Sequence, residues 1–315
     1  MTSVGRRPTS SLPRPRLPGR ARLPGRARLE EARLGWLLVL PVLAVIAVLV
    51  FYPLVLGFGL SLRAVHYASG TPETFVGIKN YLDVLGRAES RSALIHTMGY
   101  VSVAVVLEIT FGTLMAVVLD RAFRGRSVLF AVLILPWALP GIVSGLLWTR
   151  ILNPDNGLLN SLLYQLHLID HYQIWFSSPL ASIVLIAIVH VWGVIPLTAL
   201  IILSGLQSVP RELHAAAAVD GAGPVAQFRF VTLPLIRPAM AVALTIGTVA
   251  ALGIFDEIYV LNGTALGTRS IQMQIYLTTF GQLDFGRGTA LAFLLALVTI
   301  LFSIAYLRGL RRKTV

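Results

Sequence analysis

The stretch VPRELHAAAAVDGAGPVAQFRFVTLPLIRP, Val209 to Pro238, follows one long apolar run and precedes another, yet is itself small, polar and rich in turn formers. RELHAAAAV favours a helix, since alanine is the strongest helix former. Four consecutive alanines, 215 to 218, leave that helix thin, so that another protein's groove can close on it. Asp220-Gly221 supplies a turn, and Pro224 can open a second short helix, where its missing N–H does no harm. Leu233-Pro234 is expected to end that second piece at a membrane surface. The predicted unit is helix, turn, helix. It has too few strongly apolar positions for a helix that lies in lipid, which favours docking into a partner.

Outward from this segment, the chain reads as a membrane protein. Of its 315 residues 56% are hydrophobic and only 13% charged, and the mean hydropathy is +0.78. A soluble domain needs far more charge to cover its surface. With no cysteine, thiolate metal sites and disulfides are excluded. The net charge of +12 is almost all arginine, but those arginines sit between apolar spans, so nucleic acid is not the expected partner.

Six stretches are long enough to cross a bilayer, which takes roughly 20 apolar residues: Trp36 to Leu62, Ala93 to Leu119, Val128 to Thr149, Leu180 to Leu206, Pro238 to Phe255 and Gly288 to Leu307. Helices are expected throughout, because lipid offers the backbone no hydrogen-bond partners. Prolines 41, 53, 136, 140 and 196 are expected to kink them. Residues 1–34, with the repeat RLPGRA-RLPGRA from Arg16 to Ala27, read as a disordered tail. That tail either touches anionic lipid through its arginines or reflects a start placed too far upstream. A cleaved signal peptide is not expected, because the following apolar run is too long and lacks a small-x-small site. Alternate loops carry 19 Lys and Arg on the side of the termini and the 209–238 segment, against 7 on the other. Both termini are therefore expected to be cytoplasmic.

The spacing Ala216-Ala217, Asp220-Gly221, Val231, Leu233-Pro234 resembles the EAA loop of bacterial ABC-importer permeases. SGLQSVPREL (204–213), FDEIYVLNG (255–263), FVGIKNYLDVL (75–85), NPDNGLLNSLL (153–163) and DFGRGTALAFLLAL (284–297) resemble the carbohydrate-uptake branch, of maltose and glycerol-phosphate type. The resemblance covers nearly all of Trp36 to Arg312. It implies an all-α integral membrane protein with six transmembrane helices, the type I ABC-importer permease fold over residues 35–313, and a coupling helix in loop 207–237. It further implies a bacterial inner-membrane location and no cofactor in this chain, ATP and Mg being bound by a partner ATPase. The implied partners are two ATPase subunits, a second and related permease, an extracytoplasmic solute-binding protein or lipoprotein, and membrane lipid. The expected ATPase-coupling residues are Glu212, His214, Ala215, Ala216, Ala217, Asp220 and Gly221. Ala215 stands where the motif has its glutamate; Glu212, three residues earlier on the same helical face, is the expected substitute.

No G-x-x-x-x-G-K-[ST] phosphate loop occurs, in keeping with a motor on a separate chain. H-E-x-x-H and G-x-S-x-G are also absent, so nothing argues for catalysis. Polar groups inside spans are costly and often functional. Glu108 and His190 are therefore candidates to face the solute path, the alternative being interhelical hydrogen bonds. Trp192, Trp137 and Tyr259 are candidates to stack on a sugar ring, or else anchor the chain at the interface. Asp256 and Glu257 are expected roughly 27 Å along the fifth helix from Pro238, near the outer surface, in gating or simple solvation.

Overall fold

The computed structural model describes residues 25–67, 70 and 73–311. The chain divides between Leu56 and Gly57 into two compact units. The first holds α1 (Gly25–Ile46) and a five-residue π-helical segment, Ala47–Phe51, and α2 (Tyr52–Ser61) crosses the division. Only residues 1–24 of the expected disordered tail lie outside the described residues. From Gly25 the sequence RARLEEARL is built of helix formers and meets no proline before Pro41, so the helix starts inside that tail.

The second unit continues with a small hairpin, β1 (Arg63–Ala64) antiparallel to β2 (Thr74–Phe75). Then come α3 (Lys79–Gly86), α4 (Ala88–Asp120), α5 (Arg126–Ala138), α6 (Gly141–Ile151), α7 (Leu158–Gln165) and α8 (Pro179–Gln207). After them follow α9 (Arg211–Val219), α10 (Pro224–Gln227), α11 (Leu233–Leu252), α12 (Asp256–Asn262), α13 (Ile271–Tyr276) and α14 (Phe285–Arg311). Among the described residues five helical stretches are long and apolar enough to span a membrane; a sixth arises when α5 and α6 count as one span bent by 104°. The expected third span is thus not straight. Pro140, extended at ψ 143, is the N-cap of α6, and a residue before or at a proline in that conformation cannot continue a helix.

Elsewhere proline is absorbed. Leu233-Pro234 does not end a helix as expected: α10 passes through a π-helical segment, Phe228–Thr232, straight into α11. Leu233 N–H bonds to Phe228 O, five residues back, and the wider turn relieves the collision between a proline ring and the carbonyl four residues earlier. The π segment before Pro53 repeats the device, with Tyr52 N–H on Ala47 O. At its other end α11 stops early, at Leu252, with Gly253 as its cap. Asp256 and Glu257 consequently do not extend the fifth helix but open α12.

The centre of the second unit is where α4, α8 and α11 pack together. Tyr100, Ala104, Glu108, Gly112 and Ala116 form a buried stripe at four-residue spacing on α4, and Ala243, Gly247 and Ala251 do the same on α11. Small residues let membrane helices approach closely, where van der Waals contact replaces the hydrophobic effect as the glue. One apolar cluster (Tyr100, Ile186, Ile254, Met273) lies toward one end of this seam, and another (Leu119, Ile202, Leu206, Ile236) toward the other.

The motif stretches between spans serve as joints. Asn80 donates to Ser61 O and Arg63 O at 2.9 and 2.8 Å, and Arg287 clamps Asp83 at 2.8 Å and Asp284 at 3.0 Å, tying α3 to the start of α14. The Arg287 hydrogen bond holds the Asp83 carboxyl below its usual range. Asn160, fully buried, donates to Gln173 O at 3.0 Å and accepts from Gln173 N–H at 3.2 Å.

Two glycine substitutions test the close seam. A Cβ at Gly247 would land on the Glu108 carboxyl, whereas one at Gly193 meets nothing within 4 Å. Gly247→Ala is expected to destabilise by about 1–3 kcal/mol through overpacking, and Gly193→Ala to stabilise by up to about 1 kcal/mol. Thermal unfolding of the purified protein in detergent measures both; equal effects would remove the tight crossing.

Candidate functional site

Two places carry the residues singled out from sequence. The first is the 209–238 segment. Pro210, extended, fixes the start of α9, and Glu212 in its first turn complements the helix dipole. At the other end Ala222 N–H bonds to Ala217 O at 2.9 Å and Gly221 N–H to Ala218 O at 3.1 Å, with Gly221 at φ +81. This Schellman closure needs a left-handed residue, which is why the turn is Asp-Gly. Pro224 then opens α10.

The segment's residues divide between two faces. Glu212, Ala215, Ala216 and Val219 are exposed, whereas His214 and Ala217 are half-buried. Positions 212, 215, 216 and 219 are one helical stripe, so Glu212 and the alanine pair's first member share an outward face with Ala215. His214 turns the other way, into a cavity with Asp120, Arg126 and Arg211. Asp220 and Gly221 are exposed at the helix end.

The second place is a buried polar seam. Glu108, 3% exposed, accepts a hydrogen bond from Thr198 Oγ1 on α8, and the Gly247 backbone of α11 lies against its carboxyl. His190 Nδ1 pairs with Glu257 Oε1 at 2.9 Å, joining α8 to α12. Glu108 and His190 lie on helices of the same packed bundle, α4 and α8. Asp256, beside Glu257, packs on Gly141 at the N-terminus of α6, the positive end of a helix dipole. Burial, and then the Glu257 charge, push the Asp256 carboxyl up. Trp192 meets Trp148 edge to face with ring centroids 5.7 Å apart, and Tyr259 stacks on Phe255 at 5.7 Å. No ring contact joins Trp192 to Tyr259 among the described residues. Trp137 stands half-exposed on α5.

The seam thus gathers Glu108, His190 and Asp256 but leaves Trp192 and Tyr259 in separate pairs, and Trp137 in no ring contact among the described residues. It also contains Trp148, which the sequence did not single out, and it decides between the two readings left open for Glu257. Glu257 is no solvated surface acid: its side chain is 13% exposed. The signal was Gly253 followed by an acidic pair, which marks a new helix start. Trp148 Nε1 and His190 Nε2 are buried without a hydrogen-bond partner among the described residues. Orphaned buried groups of this kind are costly, and a polar solute would satisfy them.

The His190 pair makes stability depend on acid. Burial pushes the Glu257 carboxyl up, but the hydrogen bond and charge of His190 outweigh it and hold the group below its usual 4.5. The stabilisation is therefore complete above that value and is lost as pH falls through the lowered one. The melting temperature in detergent is expected to drop on acidification below about pH 5, more steeply for wild type than for Glu257→Gln. Identical slopes would show that the pair contributes nothing.

Residues 108–313 match the profile of the family described as binding-protein-dependent transport system inner membrane component. The trehalose/maltose transport system permease protein MalF of Thermococcus litoralis is 36% identical over 89% of this chain and 94% of its own. The sulfoquinovosyl glycerol transport system permease protein SmoG of Agrobacterium fabrum is 31% identical over 90% and 92%, and the trehalose transport system permease protein SugA of Mycobacterium tuberculosis 30% identical over 85% of each. Among solved structures, a membrane chain of a bacterial ABC transporter that imports alginate superposes with a TM-score of 0.77, at 19% identity, over 92% of this chain and 99% of its own. With a family match over most of its length and close relatives along nearly all of it, the chain belongs to the binding-protein-dependent transport system inner membrane components, the multi-pass permease subunits of ABC importers.

Proposed function

We propose that this permease forms half of the membrane path of an ATP-driven importer for sugars, and that α9 is the helix on which a separate ATPase acts. The observation that carries this reading is the outward stripe of α9, Glu212, Ala215, Ala216 and Val219, bare of long apolar side chains except Val219 and fixed at both ends by Pro210 and the Gly221 closure. A thin, pre-formed helix of this kind loses little entropy on entering a groove.

In this scheme ATP and Mg belong to two partner ATPase subunits, and this chain hydrolyses nothing. A second, related permease completes the path, and an extracytoplasmic solute-binding protein delivers the sugar. A solved alginate transporter bound to a pentasaccharide-loaded periplasmic protein and relatives named for trehalose, maltose and sulfoquinovosyl glycerol support these assignments. The excess of arginine on alternate loops supports cytoplasmic termini and a cytoplasmic α9. His190 Nε2 and Trp148 Nε1 are the groups assigned to sugar hydroxyls, with Trp192 and Tyr259 offering ring faces. Nucleotide acts by biasing two access states of the path through α9.

The chain contains no cysteine, so single cysteines report contacts cleanly. Ala216→Cys is expected to crosslink to the ATPase in the assembled transporter, and the inward Ala217→Cys far less. Glu212→Ala is expected to lower ATP-driven uptake about tenfold or more, the scale of losing a charged interface contact, with assembly intact. Crosslinks absent from Ala216, or solute uptake by this chain without an ATPase, would sink the proposal; unchanged uptake in Glu212→Ala would remove that residue's role alone.

A further inference from the structure

Behind α9, on the side away from its bare stripe, lies a cavity of about 420 Å³ lined by Asp120, Arg126, Gln207, Arg211 and His214, among others. Its walls are the last residue of α4, the first residue of α5, the end of α8 and the first turn of α9. Two guanidinium groups and an imidazole therefore face one carboxylate. Arg126 and Arg211 form no ion pair among the described residues. Cationic side chains that share a cavity repel one another, and an anion between them removes that repulsion. The arginine fork matches phosphate oxygens in particular.

The depth of the site narrows the anion's source. Because α4, α5 and α8 are spans, their ends lie at the level of lipid headgroups. Phe123 and Val128, three residues before and two after Arg126 in the chain, are 42% and 68% exposed, apolar surface at the same span end on which acyl chains can lie. We infer that this cavity binds the phosphate of an anionic phospholipid, and that the lipid braces α9 from behind. The bracing of a coupling helix rests on the role proposed above for α9; the binding does not, so its test stands apart from transport.

The test uses the full-length chain, delipidated in detergent and titrated with phosphatidylglycerol, phosphatidylcholine or inorganic phosphate under native mass spectrometry. Wild type is expected to retain phosphatidylglycerol over phosphatidylcholine. Arg126→Gln or Arg211→Gln is expected to weaken retention roughly fivefold, and the double variant roughly 25-fold. Asp120→Asn, which removes the like charge that Asp120 brings to the cavity, is expected to tighten it, an outcome that misfolding cannot mimic. Arg124→Gln, on the same loop but outside the cavity, is expected to change nothing. Equal retention by wild type and the double variant would overturn the site. Displacement of the lipid by inorganic phosphate would overturn the lipid as the source of the anion. Weakened ATPase association in Arg126→Gln with lipid retention unchanged would overturn it in favour of a partner's acidic residue.

Discussion

A carboxyl group buried among three apolar helices constrains everything around it. Glu108 has no cationic partner in an ion pair among the described residues; its neighbours are Thr198 and the bare backbone at Gly247. Polar groups in such surroundings cost several kcal/mol when unsatisfied, so the helices that carry donors must stay close. That requires small residues where the helices cross, and α4 supplies Ala104, Gly112 and Ala116 and α11 Ala243, Gly247 and Ala251. The same closeness brings His190 and Glu257 into register and sets α12 against α6. The polar seam and the tight packing are thus one arrangement, described from its chemistry or from its sterics.

Much of this was legible from the residues alone. The six apolar runs, the Ala-rich helix and the Asp-Gly turn lie where hydropathy and turn chemistry place them. Glu108 and His190 were conspicuous as polar residues within spans. The bend at Pro140 was expected; the continuation through Pro234 and the stop at Gly253 were not. A π segment precedes Pro234, and the pattern of apolar residues is silent about such a widening. Gly253 ends α11 three residues before an acidic pair, and this turns Glu257 inward. Partnership across 67 positions, as between His190 and Glu257, leaves no local trace in the chain.

The faces of α9 show the same limit in smaller compass. Sequence groups Glu212, His214 and the alanines as one contact set. The helix separates them, with Glu212 and Ala216 pointing outward and His214 toward Arg126 and Asp120. Which side of a short helix faces the body depends on the angle at which α8 delivers it, and that angle is set by Ser208, Val209 and Pro210 rather than by the helix itself.

From Pro224 to Leu252 the backbone forms a single helical stretch of 29 residues, roughly 44 Å long at 1.5 Å per residue. Its one departure from α geometry is the five-residue π segment, near one end. The short helix that follows the Gly221 turn and the glycine that lies against Glu108 therefore belong to the same continuous rod. A change in the tilt of that rod moves the tip beside the turn and the buried glycine together, unless the π segment takes up the difference.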